Sequence, residues 1–225
     1  AINLAREWGN PFLLCFALMF AAYSAYYRRD LETAREIAQE TIAVSSEHNH
    51  PLWLAGGLAI LGWVLDQEGH LEEGITQIQR GQKILKTIGA WLPYTSDLTV
   101  LAGIYLNAGK KMEGLAVIDE AIAKIGKMGG WDEEPELHRL QGELLLLEKG
   151  NEREAEACFQ RAIEVAREQK AKGWELRATI SLCRLWQKQG KIEQARARLS
   201  EIYNWFTEGF DTPDLKEAKS LLEAL

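Results

Sequence analysis

The sequence predicts an all-α protein, a right-handed α-solenoid of about five helix-turn-helix repeats with a period of about 40 residues, finished by a C-terminal capping helix. Two observations carry this. A small residue recurs as Ala34, Gly74, Gly114, Ala155 and Ala195, at steps of 40, 40, 41 and 40. Each sits in a turn-then-helix stretch whose clearest copy, Gly150–Ala162, puts Ala155, Phe159 and Ala162 on one helical face. Relatives of that stretch stand at Gly69–Gly81, Gly109–Ala121 and Gly190–Ile202, with a degenerate copy at Arg29–Thr41.

Taken in order, residues 1–10 read as the end of a preceding repeat. Ala1–Pro11 aligns, at a step of 40, with Thr41–Pro51, so the chain is expected to open inside a second helix, as a piece of a longer protein. Repeat 1 covers 11–50. Its first helix, Phe12–Tyr27, is apolar almost all round and is expected to be covered on more than one side. Its second helix starts after Asp30, a good N-cap, and turns Leu31, Ala34, Ile37, Ala38, Ile42 and Val44 inward.

Repeat 2 covers 51–90, with Pro51 in a first turn and helices Leu52–Gln67 and Leu71–Ile88. Gly56, Gly57 and Gly62 in one helix predict close contact with a neighbouring backbone, since each glycine otherwise costs about 0.5–1 kcal/mol. Repeat 3, 91–131, holds Trp91–Asn107 and Met112–Met128. Repeat 4, 132–172, is read with one extra residue in its first helix, which gives the step of 41. Repeat 5, 173–208, holds Trp174–Gln189 and Ile192–Phe206. Residues 209–225 form the cap, opened by Thr212 as cap residue and Pro213. Leu215, Ala218, Leu221, Leu222 and Leu225 face inward there, and Asp214, Lys216, Glu217, Lys219 and Glu223 outward.

Alanine, then an aromatic four residues on, then a small residue is the second half of the tetratricopeptide (TPR) pattern. Leu61-Gly62, Leu101-Ala102-Tyr105 and Leu182-Cys183-Trp186 fill the slots of its first half. The glycine turn between helices favours this class over HEAT and armadillo repeats of similar length.

Composition limits the function. The chain has 225 residues, 47% hydrophobic and 26% charged, as in soluble folded proteins. A net charge of −7 leaves no basic excess for nucleic acid. The longest strongly apolar run, Pro11–Ala25, falls short of the ~20 residues of a membrane span and lacks signal-peptide flanks. Cys15, Cys158 and Cys183, odd in number and far apart, read as reduced thiols of a cytoplasmic protein.

The chain resembles the C-terminal TPR-like region of large bacterial signalling proteins, in which a nucleotide cyclase or serine/threonine kinase domain and a predicted ATPase module precede the repeats. Glu136–Leu146, Ala155–Phe159, Lys172–Ala178 and Trp205–Thr212 carry the resemblance, the last most distinctively. It implies a regulatory or interaction arm without the catalytic parts.

Candidate chemistry within the chain is weak. Gly103–Lys111 has the flavour of a phosphate loop, but the glycines are spaced wrongly and no strand precedes them. His48 and His50 lack further ligands, so neither metal nor cofactor is expected. Glu133, Glu134 and Glu136 read as acids at a helix N-terminus, and no catalytic residues are assigned.

The site expected is the concave groove lined by first helices. Counting back from each inter-helix turn selects Tyr23 and Tyr27, Trp63 and Asp66, Asn107, Arg139 and Glu143, and Arg177, Arg184 and Lys188. An aromatic end and a basic end would suit a protein or peptide segment, from a partner or from the same parent chain. Two bland readings stand beside this: the aromatic end as core covered by an upstream unit, and the basic end as a solvated face. The exposed N-terminal repeat also offers two copies a homodimer contact through Phe12–Tyr27. The alternative function is a small-molecule sensor controlling an upstream ATPase or cyclase, which requires a closed apolar pocket.

Overall fold

The computed structural model describes residues 1–128 and 133–225 and contains twelve helices among them. These are α1 (Ile2–Glu7), α2 (Pro11–Tyr27), α3 (Leu31–Glu47), α4 (Pro51–Gln67), α5 (Leu71–Ile88), α6 (Trp91–Asn107), α7 (Lys111–Met128), α8 (Glu134–Leu145), α9 (Glu152–Glu168), α10 (Lys172–Lys188), α11 (Ile192–Tyr203) and α12 (Pro213–Ala224). No strand occurs among the described residues, so the all-α class is the one found. The expected boundary between repeats 3 and 4, at 131/132, lies outside the described residues. Two compact units emerge, Ala1–Ile104 and Tyr105–Leu225.

Local chemistry explains where helices start and stop. The Asn10 side chain accepts hydrogen bonds from the backbone N–H groups of Phe12 and Leu13 at 3.0 and 3.2 Å, ahead of Pro11. Asp30 caps α3 in the same way, accepting from Thr33 at 3.2 Å. The tight turn between α4 and α5 needs a left-handed residue, and Gly69 supplies it at φ +86°. Arg29 takes that conformation between α2 and α3, at φ +55°, where the degenerate copy has no glycine.

In the first unit, α4 and α5 are pressed together by glycine. A Cβ on Gly62 would lie 2.7 Å from the carbonyl oxygen of Gly74, and a Cβ on Gly74 2.5 Å from that of Gly62. Gly56 and Gly57 behave differently from the expected backbone contact. They make room for side chains: Met19 and Tyr23 of α2 over Gly56, Thr41 and Ile42 of α3 over Gly57. A core of Ala22, Ala25, Ala34, Ala38, Ile60 and Val64 fills the space between these helices. One strip of α2 remains open, with Phe12, Phe16 and Phe20 about half exposed, so its all-round apolarity is not matched by all-round cover.

In the second unit the same interval is filled by a ring. Gly142 of α8 faces Phe159 of α9, and a Cβ there would lie 2.5 Å from the phenyl edge. The residue behind the step of 41 falls in the α8–α9 connection and not in the first helix: α8 stops at Leu145, and Asn151 donates to the carbonyls of Leu145 and Glu148 to hold the longer turn. Around α10 and α11, Leu176, Ile180, Cys183, Leu199 and Ile202 pack on Leu215, Ala218, Leu221 and Leu225 of α12. Thr212 precedes α12 without capping it; its hydroxyl turns back to donate to the Gly209 carbonyl at 2.7 Å.

First helices of the second unit meet at similar spacings of 37 or 38 residues. Ser181 of α10 donates to Glu143 of α8, 38 residues back. Arg177 and Gln187 of α10 donate to Asp214 and to the Ala224 carbonyl of α12, each 37 residues on. The cap therefore docks as the first helix of a further repeat would.

Candidate functional site

In the first unit, α2 and α4 place the predicted aromatic residues together. Tyr26 lies 5.3 Å from Tyr27 and 5.2 Å from Trp63, centroid to centroid, while Tyr23 is 6.1 Å from Tyr27. The T-shaped Tyr26–Trp63 pair sets a ring edge against a ring face, the favoured arrangement for aromatic quadrupoles. Tyr27 and Trp63 are half-buried, and Tyr23 is nearly covered, at 9% exposure. Its hydroxyl donates to Asp97 of α6 at 3.3 Å, crossing α4 where Gly56 leaves space. Asp66 is half-buried and accepts from the Gln67 amide at 3.0 Å.

The buried carboxylate of α6 is Asp97, which lies outside the residues selected by counting from the turns. Tyr26, the centre of the ring cluster, belongs with the selected tyrosines. Asp97 was not selected, because the apolar pattern around it hides a polar contact made across two helices.

In the second unit, α8, α10 and α12 carry charge. Arg139 donates to both carboxylate oxygens of Glu136 at 2.7 Å and lies 3.6 Å from Glu143. Glu143 accepts from Ser181 at 2.6 Å. Arg177 is buried, donates to Asp214 at 2.7 Å and stands 4.9 Å from the Trp174 ring centroid. Arg184, exposed, pairs with Glu217 at 2.8 Å. Asn107 and Lys188 are exposed, and Lys188 enters no ion pair among the described residues.

This corrects the expectation for the cap. Asp214 and Glu217 were placed on its outer side, yet they turn to α10, because burying Leu215 and Ala218 swings the neighbouring positions onto the flank beside Arg177 and Arg184. Two of the three cations of the basic end, Arg177 and Arg184, are thereby paired within the chain.

A parallel network ties the second helices. Burial pushes the Glu175 carboxyl up, but hydrogen bonds from Lys172 and Arg167, with their charges, outweigh it and hold the group below its ordinary value. Arg167 also reaches Glu201 at 3.1 Å, 34 residues on, as Arg6 reaches Glu40 at 2.6 Å in the first unit.

Clefts among the described residues open to solvent, one in each unit being notable. One, of about 720 Å³, lies against α1, α2 and α3, with Phe16, Phe20 and Ile37 as floor and Arg6 and Glu40 on the rim. The other, of about 370 Å³, is lined by Ile163, Leu182 and Trp186, with Arg167 and Arg198 beside it. Burial raises all three thiols, Cys183 to about 12, which leaves them protonated and poor nucleophiles. Among the described residues, no group of three His, Cys, Asp or Glu side chains is placed to hold a metal ion. Lys111, from the glycine-rich stretch, pairs with Glu148 at 2.5 Å. No helix among them is long and apolar enough to cross a membrane.

Comparison with known proteins agrees on the fold. An uncharacterized protein of Rhizobium meliloti (strain 1021) is 28% identical over 162 residues, 72% of this chain and 16% of the relative, so the chain spans about a sixth of that protein's length. A Signal Transduction ATPase with Numerous Domains (STAND) protein with a tetratricopeptide repeat sensor, from Pyrococcus horikoshii, superposes with a TM-score of 0.67 at 16% identity. It covers 94% of this chain and 31% of its own. BtubC from P. vanneervenii gives 0.66 at 15% identity, over 100% and 89%, and yeast Tom70 gives 0.60 at 14%, over 92% and 39%. No protein-family model matches the chain. The neighbours are TPR-like repeat proteins, and the fold is of that class.

Proposed function

We propose that this chain is a non-catalytic, regulatory protein-interaction scaffold that receives a peptide segment, from a partner protein or from another domain of its own parent, against its first helices. The observation that carries the reading is the half-buried ring cluster Tyr26, Tyr27 and Trp63 on two successive first helices. Rings of this kind offer large contact area at low side-chain entropy cost and suit the apolar face of a segment. Asp66 supplies a carboxylate near the end of α4. In the second unit, Asn107, Arg139, Glu143, Arg184 and Lys188 offer polar contacts, and an acidic side chain reaching Arg177 must replace Asp214. The parent is read as a cytoplasmic signalling protein with a cyclase or serine/threonine kinase domain and an ATPase module, following the resemblance of Trp205–Thr212 and its companions.

The test is site-specific photocrosslinking from Tyr27, with the parent's remaining domains and candidate partners supplied as purified proteins. A crosslink lost in Trp63→Ala, with the helical signal unchanged, supports the scaffold. Crosslinking that ignores Trp63 counts against it. A second reading, the small-molecule sensor, draws support from the STAND neighbour, whose repeats its description calls a sensor. Thermal stabilisation by a defined metabolite, abolished by filling the 720 Å³ cleft through Ala21→Phe, would favour that reading.

A further inference from the structure

The loop from Asn204 to Thr212 departs from the rule followed by α3, α5 and α9. α3, α5 and α9 run for 17 or 18 residues and pass to the next helix through two or three residues. α11 stops after 12 residues, at Tyr203, and the chain takes nine more to reach Pro213. The repeat step is unchanged, so these residues replace helix. At a step of 40, Trp205 stands where α9 has Val165 and Phe206 where it has Ala166, both of which α9 buries. Trp205 is instead 57% exposed, and Phe210 is 46% exposed.

The loop is held in place. Gly209 adopts φ +76°, and both the N–H and the hydroxyl of Thr212 donate to its carbonyl. Tyr203 and Phe206 pack on the core around α10, α11 and α12, and each carries an exposed ring on its outside. Trp205 stands 5.1 Å from Phe206, and Phe210 5.8 Å from Tyr203. The Lys172 ammonium lies 5.6 Å from the Trp205 ring centroid. Glu208 and Asp211 are exposed and enter no ion pair among the described residues.

We propose that this loop is a docking surface for a protein segment that pairs a basic side chain with a large apolar one. Covering Trp205 and Phe210 removes apolar area from water without reordering the loop, which its own hydrogen bonds already fix. The Trp205 ring already attracts one cation, and ring faces of this kind favour a guanidinium or ammonium. Glu208 and Asp211 complement the same charge, and the net −7 of the chain draws a basic segment and repels an acidic one. An anionic lipid surface is disfavoured by the same carboxylates. The surface is separate from the ring cluster of α2 and α4 and does not depend on it.

The test is a displayed library of twelve-residue peptides, selected against the whole chain and, in parallel, against Trp205→Ser/Phe210→Ser and Glu208→Lys/Asp211→Lys. Peptides enriched on the parent chain and lost, by tenfold or more, on both variants are expected to combine Lys or Arg with Trp, Phe or Leu. The Tyr27→Ala/Trp63→Ala chain should retain them, which separates this surface from the groove. Equal enrichment on the parent and both variants overturns the proposal, as does a dependent set of acidic peptides. Sedimentation with phosphatidylcholine–phosphatidylserine vesicles, or a dimer in ultracentrifugation, that requires Trp205 would overturn it in favour of a membrane or a second copy. The charge-reversal variant keeps both rings, so loss of a structural prop cannot imitate the expected result.

Discussion

The two units solve the same packing problem by different means. In the first, α4 and α5 approach until the backbones at Gly62 and Gly74 touch, and the inner face is built from rings. In the second, α8 and α9 stand around the Phe159 ring, and the inner face is built from ion pairs. A small residue on the first helix, Gly62 or Gly142, is needed by both. What it faces is free to vary. Inner-face chemistry can therefore change from unit to unit while the helix pair persists.

The largest effect is expected where the second unit depends on one ring. Phe159→Ala should cost about 3–5 kcal/mol, read by denaturant unfolding, because the side chain is fully buried against Gly142. Gly74→Ala should cost about 3 kcal/mol, and no side-chain trimming should rescue it, since the clash is with a carbonyl oxygen. Gly142→Ala should cost about 1–3 kcal/mol and be largely rescued by Phe159→Leu in a double-mutant cycle. Rescue of both glycine variants by side-chain trimming would erase the distinction between the units.

The ion pairs should sharpen it further. Asp214→Ala, which removes a carboxylate from the buried Arg177, should destabilise by about 2 kcal/mol, the value for a buried pair reduced by the partial exposure of Asp214. Arg177→Met with Asp214→Leu should recover most of that loss.

Glu175 gives a pH signature. Its folded pKa lies below the unfolded value, so its contribution is full above the unfolded value and is lost as pH falls through the folded one. Glu175→Gln should flatten the decline in stability below about pH 5, measured by unfolding from pH 7 to 3. The smallest effects belong to the exposed pairs. Glu40→Gln and Glu201→Gln should each cost under about 1 kcal/mol, less at high salt.

The fold was legible because periodicity is local: the recurrence of Ala34, Gly74, Gly114, Ala155 and Ala195 needs no knowledge of what each faces. Helix ends marked by Asp30, Pro51 and Pro213 were readable for the same reason. The site was less so. Tyr23 and Trp63 were found by counting from the turns, but the partners of Arg177 and Arg184 lie 37 and 33 residues away, on a helix whose outer and flanking positions look alike in sequence. Asp97 was missed because its partner Tyr23 lies two first helices away. The Asn204–Thr212 loop was partly read as helix, since Trp205 and Phe206 continue an apolar pattern that only the structure shows to be broken.

The similar register of α8, α10 and α12 makes α12 interchangeable with the first helix of a repeat. Its contacts with α10 reproduce, at 37 residues, the spacing by which α10 meets α8 at 38. A forty-residue block duplicated between Ala171 and Lys172 would present α12 with the same partners it has now. Array length can then change by whole modules without inventing a new set of contacts, and lengthening such a protein reduces to copying.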